Sequence, residues 1–293
     1  MAIAVTRPLL RTVDAAAPHR GRRTSRAGLV ARTVAAAIVF VAMAFPLWIM
    51  LVTAFSGLRV FDRSFSLWPQ RISLFNFTRV LDTWPVGTWF VNSITITVIT
   101  TIVTVVVSVL AGYAFAKLRF PLKTQLFLLL LSTMMIPTQA ILVPQFKIVN
   151  GLGLVGTFWA VIIPAAAASF GIFLARQFMI AIPDEVIEAA KIDGAGSLRV
   201  FWSIVLPLCK PLLAVLTLLS VMYQWNDFLW PLIVLRDSEL YTLPIGLQFL
   251  KGQYQTDYGA LMAMTLLAVA PLVILFLAFQ RFFVQGLATT GLK

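Results

Sequence analysis

The residues with the greatest capacity for specific chemistry lie in one interval of the sequence, Ile182–Pro211. The interval contains four acidic residues, and together with Arg176 just ahead of it the same neighbourhood contains four basic residues. Strongly apolar runs come before and after it. Ion pairs and charged hydrogen bonds are the chemistry that such a loop supports, and they need a polar partner. We therefore expect this loop to contact a polar partner that lies outside the environment of the apolar runs on either side.

Several kinds of catalytic and metal chemistry are excluded by the composition. The single histidine, His19, lies in an arginine-rich tail, which rules out imidazole catalysis and multi-histidine metal sites. The single cysteine, Cys209, cannot form an intrachain disulfide and is interpreted as a small apolar residue. No G-x-x-x-x-G-K-S/T sequence occurs, and the pairs at Gly151 and Gly153 and at Gly194 and Gly196 are typical of turns. Any nucleotide must therefore be hydrolysed by another chain.

The charged interval is predicted to fold as two short helices. Pro183 suits a first helical position, and the acidic residues that follow from Asp184 favour the positive end of a helix dipole. Gly194 can adopt the left-handed conformation that ends a helix. Ser197 is expected to cap a second helix and Pro207 to stop it, because proline cannot donate a backbone hydrogen bond. Each helix has one apolar and one charged face, so the pair can lie against a membrane domain and present its tip to a soluble partner.

The rest of the chain is organised as membrane crossings. The composition is 60% apolar and only 12% charged, which is typical of a polytopic membrane protein. The net charge of +12 does not predict binding to nucleic acid, because the basic residues are not placed among stacking aromatic residues on a soluble domain. Apolar runs predict six crossings, at 34–55, 89–116, 124–143, 157–178, 212–235 and 260–283.

The distribution of basic residues predicts the orientation. Sixteen of the 23 lie in the N-terminal tail, in the loops after the second and fourth crossings, and in the C-terminal tail, when Arg176 and Arg281 at the ends of the fourth and sixth crossings are counted with them. By the positive-inside rule, both termini and the charged loop are expected to be cytoplasmic. The predicted organisation is a tail at 1–33, a first crossing at 34–55, an external loop at 56–88, a core of five crossings at 89–283 with the loop 182–211 inside it, and a tail at 284–293.

The charged loop resembles the signature loop of permease subunits of bacterial ATP-binding-cassette (ABC) importers. Seven positions match at fixed spacing, namely Glu188, Ala189, Ala190, Gly194, Ile204, Leu206 and Pro207. The resemblance implies an all-α membrane protein of six transmembrane helices with a cytoplasmic coupling helix, the type I ABC importer permease fold. It implies that Glu188 is the acidic contact to the ATPase, that the two alanines permit close approach, and that Gly194 makes the turn next to Asp193. The remaining interpretation of the loop is an ordinary amphipathic hairpin at the membrane surface.

Other segments are similar to the carbohydrate branch of that family, in the class of the smaller maltose-permease subunit. They are Gln224–Pro231, Tyr241–Leu247 and Gln280–Leu287. The resemblance implies a non-catalytic subunit with no cofactor of its own, which pairs with a second homologous permease, a dimer of ATPase subunits that binds ATP and Mg²⁺, and an external solute-binding protein. The cargo it implies is a di- or oligosaccharide, with glycerol 3-phosphate or a glycerophosphodiester as the alternative. The tail ending Thr290–Lys293 differs from the usual ending of the subunit class whose tail enters the ATPase dimer.

One ionisable residue, Asp227, lies inside a predicted crossing, where charge is costly unless it faces protein or water. Asp227 and Asn226 are candidates to accept sugar hydroxyls, while Trp225 stacks on a sugar ring. The alternative is a hydrogen-bonded packing cluster. A rival hypothesis from another class makes Asp227 the proton or sodium site of an ion-coupled transporter. An intramembrane enzyme finds no catalytic constellation in the sequence.

Hydroxyl-bearing residues recur along the second crossing. Such groups line an aqueous path or bond to carbonyl groups of their own helix. The sequence leaves these two alternatives open, and the residues concerned are Asn92, Ser93, Thr95, Thr97, Thr100, Thr101, Thr104 and Ser108.

Overall fold

The computed structural model describes residues 26–57, 67–68, 71–251 and 256–290, without the side chains of 279 and 281–290. Within these residues the chain is almost entirely helical and forms no strand, apart from one isolated bridge between Ser56 and Ile72. Most of the predicted tail at 1–33 lies outside the described residues. The all-α fold class predicted from the apolar runs is confirmed.

The helices are labelled in chain order. They are α1 (Arg26–Ala54), α2 (Phe75–Thr83), α3 (Val86–Lys117), α4 (Lys123–Thr133), α5 (Thr138–Gly151), α6 (Trp159–Ala165), α7 (Ser169–Ile180), α8 (Asp184–Ile192), α9 (Ser197–Val200), a π-helical turn (Phe201–Val205), α10 (Leu206–Leu208), α11 (Lys210–Trp225), α12 (Leu229–Val234), a 3-10 turn (Ser238–Leu240), α13 (Leu243–Phe249) and α14 (Tyr258–Thr290).

The chain divides into two compact units, Met1–Trp48 and Ile49–Lys293. The described part of the first unit is the beginning of α1, which starts at Arg26 rather than at the predicted residue 34. Alanine, leucine and arginine are strong helix formers, so the helix extends into the end of the basic tail. The apolar residues surround this helix, as expected for a segment in contact with lipid or with other membrane helices.

Among the described residues, four helical segments are long and apolar enough to cross a membrane, with α6 and α7 counted together as Trp159–Ile180. Two bent helix pairs raise the number to six if each pair forms one crossing. The predicted crossing at 124–143 is one of the bent pairs, because α4 and α5 meet at 105°. Pro137 lies at this bend as the N-cap of α5, and its missing N–H cannot continue the preceding helix.

Two further boundaries differ from the predicted ones. The crossing predicted at 212–235 ends at Trp225, and a break at 226–228 separates it from the short helix α12. The last helix does not end at 283 but continues to Thr290, so most of the predicted tail at 284–293 is helical. Apolar length alone located the segments but did not show where a polar pair such as Asn226 and Asp227 interrupts the helix.

Helix α3 is the centre of the core because α7 and α11 both pack along it. Gly112 lies so close to α7 that a Cβ atom there would clash with the Ala175 side chain and would meet the backbone nitrogen of Arg176 at 3.0 Å. Gly171 of α7 is packed against the Ser108 hydroxyl in the same way. Small residues at these positions allow the two helix backbones to approach closely.

Several polar side chains of α3 form hydrogen bonds to other segments of the chain, a role that the sequence did not indicate. Asn92 Nδ2 donates to the carbonyl oxygens of Glu239 and Tyr241 at 2.7 and 3.0 Å, and Thr104 Oγ1 donates to the Ala165 carbonyl at 3.1 Å. The Ser93 hydroxyl accepts a hydrogen bond from the backbone N–H of Leu243 at 2.8 Å. These side chains bind the backbone of other segments and fix irregular chain to α3, which removes unpaired backbone groups from the apolar interior.

We predict that Gly112→Ala destabilises the protein by about 1–3 kcal/mol, because the added methyl group meets backbone atoms that cannot move aside. Thermal unfolding of the detergent-purified protein measures the effect. Gly87→Ala is the matched control in the same helix, since nothing lies within 4 Å of a Cβ atom at that position. The control should be neutral or stabilising, and equal losses in both variants would contradict the close contact of α3 and α7.

Candidate coupling site and membrane cavity

Helix α8 carries most of the residues predicted to contact a partner. It starts after Pro183, whose φ of −58° and ψ of 136° place it at the N-cap, and Asp184 and Glu185 occupy the first turn. Gly194 has a φ of +80°, a left-handed conformation that favours glycine over residues with a Cβ atom. Gly194 therefore ends the helix as predicted, whereas the helix begins at Asp184, one residue later than the first helical position predicted for Pro183.

Lys117, the last residue of α3, attaches the start of α8 to the core. Its Nζ atom donates to the carbonyl oxygen of Ile182 and to the Asp184 carboxylate, both at 2.6 Å. The Lys117 side chain is only 5% exposed, whereas that of Asp184 is 74% exposed. The hydrogen bond from Lys117 and its positive charge lower the pKa of the Asp184 carboxyl. One buried cation thus connects the end of a core helix to the first turn of the exposed helix.

An apolar cluster forms the second attachment. Ile187 of α8 is buried together with Val200, Phe201 and Val205 of the following segment, and this cluster includes residues of α3, α7 and α11. The Tyr113 hydroxyl donates to the Ser197 carbonyl at 3.1 Å, and the Tyr113 ring lies 5.1 Å from that of Phe201. The base of the loop is therefore part of the core.

The second helix of the loop differs from its prediction. Ser197 begins α9, but Gly196 is its N-cap and no side-chain capping bond forms. Pro207 does not stop the helix. The chain continues through the π-helical turn and α10, then turns at Cys209 by 78° into α11. Pro207 is tolerated because it falls in the first turn after the π-helical segment, where its missing N–H costs least.

The predicted coupling residues fall into two groups. Ala190 and Leu206 are partly buried and pack on the apolar cluster, and Ile204 is also partly buried. The exposed group consists of Glu188, Ala189, Asp193, Gly194 and Pro207. No ion pair of Glu188 occurs within the described part of the chain, so its carboxylate can accept hydrogen bonds from another protein.

The structure separates the three residues predicted for a substrate path. Trp225 is buried, donates through Nε1 to the Ala268 carbonyl at 2.9 Å, and meets Phe90 edge to face. Asn226 Nδ2 donates to the Met222 carbonyl of its own helix at 2.7 Å. Asp227 lies at the break after α11, close to the backbone N–H groups of Phe228 and Trp230. Of the three residues, only Asp227 lines either of the two cavities described next.

That cavity has a volume of about 220 Å³ and adjoins a larger one of about 560 Å³. Both are lined by Thr138, Pro164, Ala165 and Tyr223. Sequence reasoning placed Trp230 near Asp227 but did not single out Gln139, Gln145 or Tyr223, which line the smaller cavity with them. The proline at 137 was the available signal, because the bend there brings α5 to this cavity.

The chain is similar to known proteins in both sequence and structure. The model of a family described as binding-protein-dependent transport system inner membrane component matches residues 105–289. The arabinooligosaccharides transport system permease protein AraQ of Halalkalibacterium halodurans is 39% identical over 226 residues, which are 77% of this chain and 81% of the relative. The sn-glycerol-3-phosphate transport system permease protein UgpE of Yersinia pestis is 36% identical over 205 residues, which are 69% and 73% of the two chains.

Solved structures show the same fold. A chain of a bacterial ABC transporter involved in the import of the acidic polysaccharide alginate has a TM-score of 0.82 and 24% identity. The match covers 91% of this chain and 100% of that chain. A chain of the MetNI methionine ABC transporter has a TM-score of 0.53 over 69% of this chain and 95% of its own. The fold is therefore that of an ABC importer permease.

We predict that Lys117→Gln loosens the attachment of α8. Loss of the buried ammonium removes its bonds to Ile182 and Asp184, so backbone amides of Asp184–Ile192 should exchange with deuterium roughly fivefold faster. Mass spectrometry of peptides from the purified protein measures this rate. Arg119→Gln removes an exposed cation near the same helix without removing these bonds and should leave the rate unchanged. Unchanged exchange in Lys117→Gln would show that the apolar cluster holds α8 unaided.

Proposed function

The chain belongs to the family of inner membrane components of binding-protein-dependent transport systems, and from this premise we propose that it is a permease subunit of an ATP-driven sugar importer. It forms half of the translocation path and receives the motion of an ATPase through the loop that contains Glu188. The main observation that supports this proposal is that α8 is exposed at its tip and packs at its base against three core helices.

The geometry suits transmission of movement. A partner that displaces the exposed face of α8 also displaces Ile187 in the apolar cluster and Asp184 on Lys117, and both contacts lead into α3. Closely packed helices move as rigid bodies rather than deforming continuously. Movement of the loop therefore tilts α3 and its neighbours and exchanges an inward-open for an outward-open state.

The proposed topology places both termini and the coupling loop in the cytoplasm. Lys117, Arg119 and Lys123 follow α3 at the end where α8 is attached, and this basic cluster supports a cytoplasmic position. The protein is then a multi-pass protein of the bacterial cytoplasmic membrane. Lipid contacts its apolar outer faces.

The proposed assembly contains a second homologous permease, a dimer of ATPase subunits and an extracytoplasmic solute-binding protein. This chain supplies no cofactor and no catalysis, and the ATPase subunits bind ATP and Mg²⁺. Glu188, Ala189, Asp193 and Gly194 make the proposed contact with the ATPase, while Ala190, Ile204, Leu206 and Pro207 hold the loop in shape. No role for nucleic acid is proposed.

Two cargo classes follow from the relatives, one named for arabinooligosaccharides and one for glycerol 3-phosphate. We propose a di- or oligosaccharide as the cargo, and glycerol 3-phosphate or a glycerophosphodiester is the second candidate. The ion-coupled alternative gains no support, because the family is described as a component of binding-protein-dependent transport systems.

We predict that Glu188→Gln lowers ATP-dependent sugar uptake by about 10- to 100-fold, since a charge-assisted hydrogen bond to the ATPase is lost. The measurement is uptake of radiolabelled sugar by proteoliposomes that contain the complete importer. The amount of inserted protein should stay at the wild-type level. Glu239→Gln is the matched control, because Glu239 is also exposed but lies far along the chain in the turn after α12.

Normal uptake by Glu188→Gln would refute the coupling role of this residue. Uptake that continues without ATP and stops when the ion gradient is collapsed would refute the proposed function as a whole.

A further inference from the structure

The two adjoining cavities contain polar groups that protein contacts leave partly unused. Thr100 and Ser108 line the larger cavity, are 2% and 0% exposed, and have hydroxyl groups without a hydrogen-bond partner. Buried hydroxyls of this kind are normally satisfied by water or by a ligand. Both hydroxyl groups are enclosed by protein, and the Ser108 hydroxyl packs against Gly171, so the wall of the larger cavity stays largely apolar.

The smaller cavity concentrates a different set of groups. It is lined by the carboxylate of Asp227, the carboxamides of Gln139 and Gln145, the phenol of Tyr223 and the indole of Trp230. The Asp227 carboxylate offers about four acceptor sites to this cavity. The Gln139 amide oxygen accepts a bond from Thr138 at 3.3 Å, which leaves its NH₂ group as a donor.

The position of Asp227 argues against a face covered by lipid. Helix α11 has 16 residues, so about 24 Å of helix separates Asp227 from the coupling loop, which is most of the thickness of a bilayer core. A carboxylate in contact with acyl chains at this depth costs several kcal/mol. Since Tyr223 is 66% exposed, the cavity opens on the surface of the chain, and water or a partner subunit must cover it.

The charge of the lining distinguishes between substrates. Asp227 is the only carboxylate among the described residues that line the smaller cavity, which has no lysine, arginine or histidine, and the larger cavity has none of these four kinds of group. A binding site for phosphate or for a sugar acid normally supplies cations, as arginine or lysine. Neutral hydroxyl groups instead need acceptors, amide donors and an aromatic face, and these are present.

We propose that the cavity at Asp227 is a binding subsite for a neutral polyhydroxylated sugar unit and discriminates against anionic cargo. The inference rests on the proposed function and deepens it. Asp227 accepts sugar hydroxyls, Gln139 and Gln145 supply amide donors and acceptors, and Trp230 or Tyr223 offers a ring face. Trp225 and Asn226 act as packing residues beside this subsite.

A labelling experiment that needs no ATPase tests the subsite separately from transport. A thiol is introduced by Gln145→Cys, and the native Cys209 gives little background because it is fully buried. The purified permease pair is treated with a cationic and with an anionic methanethiosulfonate reagent. The ratio of the labelling rate with the cationic reagent to that with the anionic reagent should be about tenfold higher at position 145 than for a small-molecule thiol. Asp227→Asn should abolish most of this preference for the cation. Asp82→Asn, at an exposed position on α2, is the matched control and should leave the preference for the cationic reagent unchanged.

A neutral arabinose trisaccharide should slow the labelling at position 145, and glycerol 3-phosphate should not. Equal rates for the two reagents, or protection by glycerol 3-phosphate alone, would overturn the subsite while leaving Glu188 coupling untouched. In the complete importer, Asp227→Asn should reduce sugar uptake about tenfold and preserve ATP hydrolysis stimulated by the solute-binding protein. Asparagine has nearly the same shape as aspartate and keeps an acceptor oxygen, so a lost fold is not the expected cause.

Discussion

Close packing of α3 against α7 is the constraint on which the rest of the molecule depends. Gly112 and Gly171 remove the side chains that would separate these helices, and Ala175 occupies the space that remains. Apolar helices gain little from the hydrophobic effect inside a bilayer, so van der Waals contact of this kind stabilises their association. At one end of α3 the coupling loop is attached, and at the other end Asn92 binds the segment after α12. The two ends of the transporter subunit are therefore joined by one stiff helix.

The proposed coupling loop and the cavity are both supported by these helices, but the sequence predicted more of the loop than of the cavity. The residue types of α8 predicted its acidic first turn, its end at Gly194 and, to within one residue, its start, because each depends on local backbone chemistry. The path of the next helix through Pro207 was not predictable in that way. It depends on a π-helical turn, whose hydrogen-bond pattern is set by packing of Phe201 and Val205 in the apolar cluster.

The cavity shows the limit of reasoning from neighbours in sequence. Trp225, Asn226 and Asp227 are adjacent, yet the helix end points them in three directions, toward Ala268, toward Met222 and toward the cavity. The partners of Asp227 in the cavity come from α5 and α12, and their approach follows from the bend at Pro137. Apolar length predicted where crossings lie, but the breaks inside them decide which polar side chains converge.

The π-helical turn at Phe201–Val205 has a consequence for the evolution of this loop. Such a turn contains one residue more than an α-helix of the same height, so it acts as a stored insertion. Removing a single residue there would restore regular winding and leave the residues that follow on nearly the same side, because the wider turn already takes up the extra residue. Cys209 would stay inside, and α11 would keep its direction from the cluster. The same deletion within α8 or α11 would instead rotate the rest of that helix by about 100°, so this segment is the place where the loop can change in length.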